Sequence, residues 1–91
     1  MNQVEWPVWW GWELYFTPHI KQRMEERDFT EIDVRMMLSR TDLLELGTRE
    51  GRWNAETRHF GGKWRVVLEP DFETRRLTVI TAFAVTGLKD A

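Results

Sequence analysis

The residues whose types and spacing can do chemistry lie in one run, GRWNAETRHFGGKWRVVLEPD, from Gly51 to Asp71. Gly61-Gly62 is a two-residue turn signal of the kind that closes a tight antiparallel hairpin. With those two glycines as the turn, Phe60 lies opposite Lys63, Arg58 opposite Arg65, Glu56 opposite Val67 and Asn54 opposite Glu69. The other face collects Ala55, Thr57, His59, Trp64, Val66 and Leu68, because side chains alternate along a strand. That second face is a core face, and the first is a charged surface. Like charges directly opposite on a sheet repel, so an Arg58/Arg65 pair with Lys63 beside it calls for an anion, either a carboxylate of the chain or a phosphate of a partner.

The elements that must position this hairpin are legible on both sides of it. Residues 8 to 16, VWWGWELYF, alternate with Val8, Trp10, Trp12, Leu14 and Phe16 on one parity, which predicts an opening strand with Trp10 and Trp12 turned inward. Thr17 offers an N-cap oxygen and Pro18 suits the first helical position, where its missing N–H costs nothing. A helix over about 18–27 follows, with Ile20 and Met24 on its buried face and His19, Arg23 and Arg27 along its edge. Thr30 and Asp33 form an approximate capping box for a second helix over about 31–40, whose expected buried side is Ile32, Met36 and Met37. From Leu43 the period becomes strand-like, giving strands at about 43–50, 53–60, 63–69 and 76–85. The last, RLTVITAFAV, is apolar on both faces and reads as an interior strand, with Thr78 and Thr81 on opposite faces. The order β-α-α-β-β-β-β gives an α+β domain with two helices packed on one face of a mainly antiparallel sheet. Its predicted core is Ile20, Met24, Ile32, Met36, Trp64, Val66, Leu68, Val79 and Phe83.

Composition bounds the rest. The 91 residues form one domain, 1–91, large enough to bury roughly 60 to 70 % of the unfolded-chain surface. There is no cysteine, and the two histidines, His19 and His59, lie far apart without ligand spacing, so neither a metal nor another cofactor is expected. No run approaches a membrane span and the N-terminus lacks a basic n-region, which makes a cytoplasmic protein the expectation. The net charge of −2 gives no global basic footprint, so any anion site must be local.

Four blocks, FTPHIKQRMEERDFTEIDV, GRWNAETRH, WRVVLEPD and LTVITAF, occur in order with short spacers. Together they resemble the domain of unknown function 4258 family, which is similar in fold to the RelE/ParE-like toxins and, more distantly, to the barnase, EndoU and colicin ribonuclease group. The resemblance covers about 12–85 and leaves a Trp-rich extension at 1–11. It implies a RelE-like fold and a bacterial toxin of a toxin–antitoxin pair. Such a toxin would be a metal-independent endoribonuclease that uses the RNA 2′-hydroxyl as nucleophile and is inhibited by a cognate antitoxin. The family's helix-1 His and following Arg correspond to His19 and Arg23, and its strand block to Glu56, Thr57, Arg58 and His59.

That reaction needs a base for the 2′-hydroxyl, an acid for the leaving 5′-oxygen and cations for the charged phosphorane. On this reading Glu56 is the base, His19 the acid, Arg58 and Arg65 hold the phosphate within the catalytic set, and Arg23 and Lys63 add phosphate contacts. Against it stand a cross-strand ion-pair ladder on a solvated face, a buried neutral His59 donating to a backbone carbonyl, and pairing of Arg23 and Arg27 with Glu26, Glu31 or Glu69. Trp6 and Trp9 are expected at a homodimer or antitoxin contact, since exposed aromatic clusters mark interfaces. The alternative from another class is a non-catalytic protein-binding module of the same fold.

Overall fold

The computed structural model describes residues 6–85. A 3₁₀ turn, Val8–Gly11, precedes β1 (Glu13–Phe16), α1 (Pro18–Arg27), α2 (Glu31–Ser39), β2 (Leu43–Leu46), β3 (Trp53–His59), β4 (Gly62–Asp71) and β5 (Arg76–Ala84). This is the expected β-α-α-β-β-β-β order. The five strands form one sheet in the order β1-β5-β4-β3-β2. It is mixed because β1 runs parallel to β5, while every other neighbour is antiparallel. No helix among the described residues is long and apolar enough to cross a membrane.

Local chemistry accounts for the helix ends. Thr17 Oγ1 accepts from the Ile20 N–H at 3.2 Å, and Pro18 follows it. Asp28, in the left-handed region at φ 57°, stops α1. At α2 the capping box is complete: Thr30 Oγ1 accepts from the Asp33 N–H and the Asp33 carboxylate accepts from the Thr30 N–H. Such a cap contributes about 0.5 to 2 kcal/mol.

Helix α1 packs on β5, and α2 on β3 and β4, so both lie on one face of the sheet. Between them and the sheet lie Ile20, Val34, Met37, Ala55, Val66, Leu68, Leu77, Val79 and Ala82, all without solvent exposure. Among the described residues no element covers the opposite face, called the open face below. β5 is interior, as its apolar pattern predicts.

Five expectations need correction. The opening strand is confined to Glu13–Phe16, because i→i+3 bonds from Trp10 N–H to Pro7 C=O and from Trp12 N–H to Trp9 C=O wind residues 8–11 into the 3₁₀ turn. A three-residue period turns Trp9 inward, so Trp9 is buried while Trp10 and Trp12 are half-buried. On α2 the buried stripe is Val34 and Met37, and the expected Ile32 and Met36 are 69 % and 40 % exposed. In β5 a bulge opposite Val67/Leu68 leaves Ile80 unpaired, since Val67 pairs with Thr81 and Leu68 with Val79. The extra residue reverses the alternation beyond it. Ala82 rather than Phe83 therefore enters the core, and Thr78 and Thr81 share the open face, opposite Glu69 and Val67.

The fourth correction is the length of β2, which stops at Leu46. Residues 47–52 form a loop closed by Gly47 N–H to Arg52 C=O at 2.7 Å and Arg52 N–H to Arg49 C=O at 3.1 Å. The last is the hairpin register. His59 pairs with Gly62, so the turn residues are Phe60 and Gly61, at φ 49° and 77°, instead of Gly61 and Gly62. The pairing slips by two positions, which keeps every side chain on its predicted face. Arg58 now faces Lys63 and Arg65 faces Glu56, which removes the opposed guanidiniums. Phe60, a bulky residue at positive φ, places its ring 4.1 Å from the His59 ring and 5.8 Å from that of Trp64.

Candidate functional site

Strand register arranges the open face in rows. Leu43, Glu56, Arg65 and Phe83 cross it from β2 to β5, and Glu45, Asn54, Val67 and Thr81 form the next row. Arg58 and Lys63 stand at the hairpin end. At the centre the Arg65 Nε–H donates to Glu56 Oε2 at 2.7 Å, and further along the same pair of strands, away from the turn, the Arg52 Nε–H donates to Glu69 Oε1 at 3.2 Å. Each carboxylate occupies one guanidinium edge, at Nε, and each arginine retains its other Nη–H donors for an anion.

Two adjoining hollows share Arg65. The first, about 330 Å³, sets three carboxylates, Asp42, Glu45 and Glu56, among three cations, Arg58, Lys63 and Arg65. The second, about 280 Å³, lies between the 47–52 loop and the middle strands. Its lining carries Arg49, Arg52 and Arg65, the polar Thr48, Asn54 and Thr81, and an apolar floor of Val67, Ile80 and Phe83, with no carboxylate. Glu56, Arg58, Lys63 and Arg65, singled out from the sequence, are thus brought together. Arg49, Arg52 and Phe83 were not foreseen, because a loop closure and a bulge bring them there and neither carries a sequence signal of its own.

His19 and Arg23 do not join this group. His19 is exposed in the first turn of α1, in the helical layer, and lines neither hollow. Arg23 Nη1–H donates to Glu26 Oε1 at 2.6 Å, one turn along the helix, and this hydrogen bond holds the Glu26 carboxyl below its usual range. Arg27 donates to the Ala82 carbonyl at 3.0 Å and so ties α1 to β5. Trp9, expected at a partner surface, is 4 % exposed and packs 5.4 Å from the Trp53 ring. Trp6 is half-buried and stacks on Trp10 at 4.7 Å.

His59, on the covered face, is buried as its parity predicts, but its partner is a carboxylate and not a backbone carbonyl. Nε2 lies 2.8 Å from Asp33 Oδ1 and Nδ1 lies 3.2 Å from Arg40 Nη1. Because Arg40 can only donate, Nδ1 accepts and the ring proton sits on Nε2, donated to Asp33. Asp33 thereby both caps α2 and anchors the hairpin. Its carboxyl is held below the usual carboxylate range, first by the hydrogen bond from His59 and next by the Thr30 N–H.

Residues 16–89 match the model of a family described as a domain of unknown function, DUF4258, and the chain belongs to that family. No curated protein matches the chain, and no solved structure does.

Proposed function

We propose that this member of the DUF4258 family is an RNA-cleaving toxin of RelE-like fold, acting in the cytoplasm on single-stranded RNA and restrained by a cognate antitoxin. The observation that carries the reading is the half-buried Glu56–Arg65 pair at the centre of the open face, with Arg58 and Lys63 beside it. Glu56 takes the proton of the 2′-hydroxyl as its oxygen forms a bond to phosphorus, and the bond from phosphorus to the 5′-oxygen breaks. The Arg65 and Arg58 guanidiniums hold the phosphorane oxygens. The departing 5′-oxygen takes its proton from the Lys63 ammonium, which lines this hollow and takes the acid role that the sequence assigns to His19. The products are a 2′,3′-cyclic phosphate and a 5′-hydroxyl, and every step uses side chains of this chain alone.

Incubating the purified protein with single-stranded RNA in the presence of a chelator, and mapping both new ends, tests this. Cleavage with those end groups is expected, and Glu56→Gln should slow it by about 100 to 10,000-fold while RNA affinity changes little. Intact RNA with the parent protein, or equal cleavage by Glu56→Gln, overturns the catalytic reading.

A second reading, a non-catalytic protein-binding module, draws on exposed apolar side chains at the β2 edge and on α2. Leu43, Leu46, Ile32 and Met36 are 48, 70, 69 and 40 % exposed. An inert phenotype on induced expression, together with capture of a protein partner that Leu46→Lys abolishes, favours the module.

A further inference from the structure

The open face holds a second hollow that the cleavage chemistry leaves unused. We infer that the groove between the 47–52 loop and strands β3, β4 and β5 is a subsite for one nucleotide unit, its base against Phe83 and its phosphate on Arg49 and Arg52. The inference deepens the proposed function and rests on its reading of the open face as the RNA face.

Charge is the first argument. Three guanidiniums and no carboxylate line the groove. Glu69 and Glu56 engage Arg52 and Arg65 from outside it and only at Nε, which orients two planar forks and leaves their Nη–H groups free to grip a phosphate in bidentate fashion. The Arg49 side chain makes no hydrogen bond or ion pair among the described residues.

The floor supplies the second. Val67, Ile80 and Phe83 are half-buried on a face that no helix among the described residues covers. A solvated ion-pair ladder has no use for an aromatic ring there, whereas every nucleobase has a π-face to stack on one. The bulge sets Ile80 and Thr81 consecutively in the floor and delivers Phe83 to it. At about 280 Å³ the groove has the volume of one small ligand, and Thr48, Asn54 and Thr81 offer donors and acceptors to a base edge.

Rigidity is the third. The loop that carries Arg49 and Arg52 is closed at its neck by the 2.7 Å bond from Gly47 to Arg52. A Cβ at Gly47 would meet the Arg52 carbonyl oxygen at 3.1 Å, and Gly51 turns at φ 84°, where a side chain is strained. The backbone that carries Arg49 and Arg52 is therefore fixed before a ligand arrives, and Arg52 is further oriented by Glu69, which lowers the entropy lost on binding.

The test is an amide-shift titration of the full chain with adenosine 3′-monophosphate, ribose 5-phosphate and inorganic phosphate. The nucleotide should perturb residues 47–52, Asn54 and 80–83, and should bind about tenfold tighter than ribose 5-phosphate, the increment expected of one stacked base. Phe83→Ala should remove that increment and leave inorganic phosphate binding unchanged. Phe83→Leu, which keeps the apolar floor without the π-face, should do the same and guards against a folding defect. Arg49→Ala should weaken all three ligands. Equal affinity for nucleotide and ribose 5-phosphate, or perturbations confined to Arg58 and Lys63, overturns the subsite. If the nucleotide fills the groove but RNA is neither bound nor cut, the RNA reading fails and the nucleotide site stands. If RNA is cut in a Glu56-dependent way while Phe83→Ala and Phe83→Leu leave RNA affinity unchanged, the subsite alone fails.

Discussion

The two faces of the β3–β4 hairpin treat polar side chains in opposite ways. On the covered face His59 has both ring nitrogens engaged, by Asp33 and Arg40, and the Thr57 hydroxyl donates to the Met37 carbonyl. On the open face Arg65 and Arg52 are each held at one edge only, and Arg58 faces another cation, Lys63. Saturated hydrogen bonding is what a buried group requires, because an unmet donor there costs about 1 to 3 kcal/mol. A solvated group carries no such penalty and can keep donors in reserve for a ligand. The contrast separates residues whose hydrogen bonding is complete within the fold from residues that keep donors unused, although they alternate along the same strands.

The largest expected break in that contrast is on the covered side. Trp64 is 7 % exposed and packs edge-on at 5.4 Å against Phe29, in the link between α1 and α2. Trp64→Ala should cost about 3 to 5 kcal/mol, a large share of the stability of a domain this size. Phe83→Ala, on the open face, should cost well under half of that. Urea unfolding of both variants checks the pair, and equal losses would mean that Phe83 is a core residue.

Asp33 comes next, since it serves the α2 cap and the His59 ring together. Asp33→Ala should destabilise by about 2 to 3 kcal/mol, combining removal of the cap with an unmet imidazole donor. Asp33→Asn sharpens the test through pH. The folded carboxyl titrates below its ordinary value, so as pH falls the unfolded chain takes up that proton first. The contribution of Asp33 is therefore full above the ordinary carboxylate range of about 4 and is lost as pH falls through the lower folded value. Stability measured from neutral pH into the acid range should fall less steeply in Asp33→Asn than in the parent. Identical slopes would show that the carboxylate–imidazole contact contributes nothing.

The same contrast explains what could be read from the sequence. Thr17-Pro18 and the Thr30/Asp33 box announced both helices because a cap is chemistry between near neighbours. The hairpin faces were legible for a different reason: a slip of two residues moves the turn from Gly61-Gly62 to Phe60-Gly61 and leaves every side chain on its face. What the slip does change is who faces whom, and so the Arg58/Arg65 pair expected from the sequence is Glu56/Arg65 in the structure. Phe83 was misassigned to the core because one unpaired residue, Ile80, reverses the alternation, and nothing in RLTVITAFAV marks it. Trp9 was misassigned to a surface because a 3₁₀ turn and a strand sort the same tryptophans differently. For the site, Glu56, Arg58, Lys63 and Arg65 share one hairpin and could be grouped by parity alone. Arg49 and Arg52 reach it only through a loop closed by backbone bonds, and the helical residues His19 and Arg23, grouped with it by resemblance, lie in the other layer.

The smallest expected effect decides whether the proposed RNA ligand meets one face or the whole molecule. Removing one cation that neutralises a phosphate should reduce the slope of log affinity against log salt by about 0.7 for a single strand. Arg58 is exposed on the open face, opposite Lys63, while Arg23 lies in the helical layer and already pairs with Glu26. Both are arginines, so replacing either by alanine changes the net charge equally, and a diffuse attraction to the whole protein would respond equally to both. A phosphate held on the open face would not: Arg58→Ala should lower the slope by about 0.7 and Arg23→Ala should leave it unchanged. Fluorescence titrations of a labelled single strand at several salt concentrations measure both slopes. Matched reductions would place RNA on the helical layer as well, and the distinction between a saturated face and a receptive one would then fail to predict where the ligand binds.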